Sequence, residues 1–76
     1  MLVKDKKIYN ALVNAIKERV SYEEYLHIHA IYEPDENGMY CVAMDLFEEG
    51  ETYRAWLVMK NDGHILINNI ERWYMG

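Results

Sequence analysis

Two histidines separated by one residue, His27 and His29, head the short roster of side chains in this chain that can do chemistry. In an extended strand, residues two apart face the same way with Cα atoms about 7 Å apart, from which both imidazoles reach one metal ion. Asp45 is the carboxylate that a hairpin brings beside them, so His27, His29 and Asp45 are the candidate metal ligands. A fourth donor is missing, and the strand pairing expected below sets the Arg54 cation beside Asp45. Solvated histidines on a mixed face are the commoner origin of such a pair, so the reading assigns no metal and no other cofactor.

The same His–Asp pair has the form of an oriented general base, but catalysis also needs a nucleophile or a pocket within hydrogen-bond reach. Cys41 is only diagonal to His29, and Thr52 has no base opposite it. Glycine-rich phosphate loops, Gly-x-Ser-x-Gly elbows and His-Glu-x-x-His pairs do not occur. Seventy-six residues are also few to enclose the roughly 300–1,000 Å³ of an ordinary substrate pocket. No catalytic residue is assigned and no enzymatic activity is expected. Cys41 reads as a small hydrophobe in mid-strand.

The elements that must position these residues follow from periodicity. Ile8, Leu12, Ala15, Ile16 and Val20 recur at helical spacing, and Lys4 to Val20 reads as one amphipathic helix. Ser21-Tyr22-Glu23-Glu24 has the form of a capping box. From Tyr25 the pattern changes to alternation, with Leu26, Ile28, Ala30 and Tyr32 on one face and Tyr25, His27, His29, Ile31 and Glu33 on the other. Pro34 to Gly38 is a turn by composition. With Glu33 opposite Met39, Tyr32 falls opposite Tyr40, His29 opposite Ala43 and His27 opposite Asp45.

Met39–Glu48 and Glu51–Lys60 are expected to pair across a two-residue loop at Glu49-Gly50. That register sets Leu46 against Tyr53, Met44 against Ala55 and Val42 against Leu57 on the core face. On the other face it sets Asp45 against Arg54, Ala43 against Trp56 and Cys41 against Val58. At Asn61-Asp62-Gly63 a three-residue loop pairs Met59 with Ile65 and Leu57 with Ile67, whereas a two-residue loop would bury Leu66; the sequence leaves both open. The tail from Asn68 either continues this strand or turns away, with Trp73, Tyr74 and Met75 packing over an open end. The expected fold is α+β: one N-terminal helix packed on a four-stranded antiparallel meander, order 1-2-3-4, with residues 1–76 forming a single compact domain.

Composition bounds what such a domain does. The 13 acidic and 8 basic residues give a net charge of −5, the wrong sign for a nucleic-acid backbone and the right one for a basic protein surface. No apolar run approaches the roughly 20 residues of a membrane span, and Met1 to Lys7 lacks the apolar stretch of a signal peptide. One cysteine excludes an internal disulfide framework, and a cytoplasmic location is the expectation.

What remains is the sheet face without a helix, carrying Ile31, Cys41, Ala43, Phe47, Trp56 and Val58, with Leu66 added under the three-residue loop; its cover is either the tail Trp73-Tyr74-Met75 folding back or another molecule. An apolar patch of roughly 300–400 Å² is at the upper limit of what monomers leave exposed. The binding residues assigned are Trp56 as anchor, with Ile31, Val58 and Phe47 around it and Arg54, Glu48, Glu49 and Glu51 as a charged rim. The expected function is a small, acidic, non-catalytic protein-binding module of inhibitor or adaptor type. The alternative is a structural homodimer that buries the same face, with a small ligand or a metal at His27, His29 and Asp45.

Overall fold

A computed structural model describes residues 1–20, 26–47 and 50–73. The helix α1 spans Lys6–Arg19 and is followed by strands β1 (Leu26–Tyr32), β2 (Met39–Leu46), β3 (Thr52–Met59) and β4 (Ile65–Arg72). These form one antiparallel sheet in the order β1-β2-β3-β4, the α+β meander that the periodicity predicts. Among the described residues no helix is long and apolar enough to cross a membrane.

The helix starts at Asp5, whose carboxylate accepts from the backbone N–H groups of Lys7 at 2.9 Å and Ile8 at 3.2 Å, two of the donors that a helix N-terminus leaves without partners. Lys17 and Arg19 in the last turn suit the negative end of the helix dipole. The apolar stripe buries Leu12 and Ile16 against Ile31, Val42, Met44, Leu46, Ala55 and Leu57. The strand residues that alternate with these core positions lie on the helix-free face.

Two of the three turns lie where composition places them, though Tyr32 opposes Cys41 and not Tyr40 at the first. Asp35 accepts from the N–H groups of Asn37 and Met39, closing the β1–β2 turn, with Gly38 at φ 77°. The β3–β4 turn is the three-residue alternative, in which Lys60 N–H donates to the His64 carbonyl and Met59 opposes Ile65. The open question about the tail is partly resolved, since β4 runs on to Arg72.

The β2–β3 register is two residues away from the expected one. Met44 opposes Tyr53, Val42 opposes Ala55, Ala43 opposes Arg54 and Asp45 opposes Thr52. The connection is four residues long, because Leu46 N–H closes the ladder on the Glu51 carbonyl while Phe47, at φ 68°, has already left it. A bulky residue at positive φ is uncommon and has no sequence signature, which is why the shorter loop at Glu49-Gly50 looked sufficient. A slip of two preserves every side chain's face, so the core pattern could not expose the difference.

A second correction concerns β1. Leu26, His27 and Ile28 pair as expected, with Leu46, Asp45 and Met44, but then a bulge intervenes and Ala30 opposes Ala43, Ile31 opposes Val42 and Tyr32 opposes Cys41. One extra residue reverses the alternation beyond it. Ile31, expected on the helix-free face, is therefore buried in the core at 1% exposure, while Ala30 and Tyr32, expected in the core, face the other way. The β3–β4 ladder has the same device, an irregularity at Asn68 that returns Ile70 to the core opposite Ala55.

Candidate functional site

The helix-free face holds two groups of polar and aromatic side chains, and the corrected registers decide which residues belong to each. The first is built on Asp45, next to the last residue of β2, with His27 opposite it on β1 and Thr52 opposite it on β3. His29 sits in the β1 bulge, which brings its ring to 4.6 Å from that of His27 in an edge-to-face arrangement. Its Nε2 lies 3.0 Å from Asp45 Oδ1. The donor atoms of His27, His29 and Asp45 all lie within 4.8 Å of one another.

Asp45 is only 4% exposed, a site that would ordinarily disfavour a carboxylate. The hydrogen bond from His29 nevertheless holds its pKa below the ordinary 3.8. Burial opposes this, and the charges of His29 and His27 and a hydrogen bond from the Gly50 backbone reinforce it. Thr52 Oγ1 adds a long contact of 3.4 Å. The Gly50 and Thr52 contacts exist because the β2–β3 loop is four residues long; in the expected register Arg54 would have taken this place.

The second group is built on Arg54, opposite Ala43. Its guanidinium carbon lies 5.7 Å from the Tyr32 ring centroid and 5.0 Å from that of Trp73, and Trp73 lies 6.0 Å from Trp56. Its Nη1 donates to Cys41 Sγ at 3.6 Å, and its Nε is buried without a hydrogen-bond partner. Among the described residues no carboxylate forms an ion pair with it. The carboxylate across the ladder, Glu71, accepts instead from Asn69 at 3.1 Å. Arg54 is thus a half-buried cation held by aromatic faces.

Of the residues expected on this face, Trp56 and Arg54 are together, and Val58 flanks them between Met39 and Leu66. Phe47 is not part of the patch. It is exposed in the β2–β3 loop, where its ring meets that of Tyr53, a residue packed against the core. Glu51 is engaged with Arg72 at 3.7 Å; Glu48, Glu49, Tyr74, Met75 and the Ser21–Tyr25 segment lie outside the described residues. The acidic turns do not share one rim: Glu33, Asp35 and Glu36 sit at the end of the sheet opposite Glu51. Surface depressions lie along the border of α1 with β4 and beside Pro34, away from both groups.

Of the two rings that flank Arg54, Tyr32 was not expected here, whereas Trp73 belongs to the tail for which covering this face was one alternative. The spacing of apolar residues carried the signal for the first. Leu26, Ile28 and Ile31, like Ile65, Ile67 and Ile70, step by two and then by three, the trace of a bulge in an otherwise alternating strand. Comparison with protein-family models, curated proteins and solved structures gives no match. The functional reading therefore rests on the two side-chain groups.

Proposed function

We propose that this chain is a small, acidic, non-catalytic protein-binding module of inhibitor or adaptor type, working in the cytoplasm through the helix-free face of its sheet. The observation that carries the reading is Arg54, stacked between Tyr32 and Trp73 with a buried Nε that has no acceptor. Among the described residues the guanidinium has no carboxylate partner, and an acidic or carbonyl acceptor from another protein would supply its outer N–H groups with one. Arg, Trp and Tyr are the residue types that dominate binding energy at protein interfaces, and here they adjoin one another with Trp56 beside them. The acidic turns at the two ends of the sheet suit basic flanks on the partner.

A second copy of the chain is the alternative partner. Leu66 is 46% and Trp73 38% exposed along the outermost strand β4, next to the same patch, which favours a homodimer burying that face. Light scattering over a hundredfold concentration range separates the two. In either case Trp56→Glu, with an unchanged circular dichroism spectrum, should abolish association, whether read as dimer mass or as recovery of a specific protein captured by the full chain. Undiminished association by Trp56→Glu overturns the proposal.

A further inference from the structure

We infer that His27, His29 and Asp45 form a binding site for one divalent transition-metal ion of borderline softness, with zinc as the ion that best suits two imidazoles and a carboxylate. Metal–donor bonds of about 2.0–2.1 Å in a tetrahedral site put neighbouring donor atoms about 3.3 Å apart. The His29 Nε2–Asp45 Oδ1 separation is already 3.0 Å, and the widest separation in the group is 4.8 Å. Both imidazoles are exposed, and their rotation is the movement that would close the remainder.

Three features distinguish this group from a histidine that merely satisfies a buried acid. Asp45 already accepts from His29, Thr52 and Gly50, so it has no need of a second imidazole. His27 nonetheless stands beside it, and its side chain makes no hydrogen bond among the described residues; its contact is the edge-to-face one with His29. The β1 bulge is placed at His29, and bulges commonly re-aim a side chain at a site.

The β2–β3 register removes the electrostatic objection. Arg54 belongs to the rung of Ala43, two residues or about 7 Å along the strand from that of Asp45, and its guanidinium is turned to Cys41, Tyr32 and Trp73. The neighbour across from Asp45 is instead the neutral Thr52, while the net charge of −5 favours a cation. Thr52 and Gly50 also hydrogen-bond the carboxylate, the kind of outer support that orients a metal ligand. Two imidazoles and one carboxylate oxygen leave the remaining coordination positions to water.

The test is calorimetric titration of zinc into tag-free, chelator-stripped protein, with cobalt absorption as a second readout of coordination geometry. One zinc per chain is expected, with affinity reduced about a hundredfold by His27→Ala and no specific binding left in the His27→Ala, His29→Ala double variant. His64→Ala, which alters the remaining histidine in the β3–β4 turn, should change nothing. Both altered ligands in the double variant are surface residues, so the fold should survive, and a circular dichroism spectrum checks it. Absence of stoichiometric binding to the wild type, or binding that the double variant retains, overturns the inference. Neither outcome bears on partner association, which is read at Trp56.

Discussion

The two faces of the sheet are built from the same four strands and obey different rules. On the helix-bearing face, Val42, Met44, Ala55 and Leu57 are fully buried against Leu12 and Ile16, and any aliphatic neighbour of suitable volume would serve. On the other face each contact is between particular atoms, such as His29 Nε2 and Asp45 Oδ1 or Arg54 and the Trp73 ring. Stability therefore depends on which face a residue takes, and function depends on which residue stands beside it. The first is a matter of period, the second of register.

The largest effect should come from breaking the helix-bearing face. Leu57→Ala removes a fully buried side chain at the centre of the core, a change that costs about 2–5 kcal/mol in well-packed proteins. Domains of this size have little more than that in total, so the variant should be largely unfolded at room temperature or melt far below the wild type. Val58→Ala, half-buried on the same strand but facing away from the helix, should cost well under half as much. Comparable denaturation midpoints for the two variants would mean that the faces are not as unequal as their burial implies.

The same division explains what could be read from the sequence. Helix, strands, order and the positions of the β1–β2 and β3–β4 turns follow from apolar period and from Pro34, Gly38 and Gly63, because these act locally, whereas the length of the last loop did not. The core assignment of β2 and β3 survived a register two residues off, since the period is two. Asp45 lost its expected partner Arg54 by that same slip, because Phe47 enters the loop at positive φ and nothing in its residue type predicts it. Ile31 and Tyr32 exchanged faces through one bulge, a change that the Leu26, Ile28, Ile31 spacing did carry. The grouping of His27, His29 and Asp45 was legible because His27 opposes Asp45 as expected, ahead of the bulge. The Arg54 cluster was not, because it needs both corrections at once.

An intermediate effect is expected where a buried charge sits on the face that otherwise tolerates change. Asp45→Asn keeps the shape and removes the charge that His29 and the Gly50 backbone stabilise. The cost should be about 1–3 kcal/mol at neutral pH, the usual range for disturbing a buried charged hydrogen bond. Because the folded protein holds Asp45 below 3.8, the carboxylate contributes its stability in full above that value and loses it as the pH falls through the lower, folded value. The gap between wild type and Asp45→Asn should therefore narrow on acidification below about pH 4. Urea denaturation in the presence of a chelator at several pH values measures it; a gap that widens towards acid would reverse the sign and contradict the His29–Asp45 geometry.

The smallest effect is the one that separates the two registers. In the observed pairing Thr52 Oγ1 approaches Asp45 Oδ1 at 3.4 Å, while Arg54 stands on the next rung of the same face. Thr52→Val deletes that hydroxyl without changing volume much, and at this length the bond should contribute about 0.5 kcal/mol. Its value lies in the double-mutant cycle. Combined with Asp45→Asn, Thr52→Val should show a small positive coupling, because both changes act on one contact. Arg54→Met combined with Asp45→Asn should couple less, since its partners are Tyr32, Trp73 and Cys41. Had Arg54 faced Asp45 directly, that second cycle would dominate the first, as a half-buried ion pair exceeds a long hydrogen bond from an uncharged hydroxyl. The ranking of two couplings thus reads out a two-residue slip that burial on either face leaves unchanged.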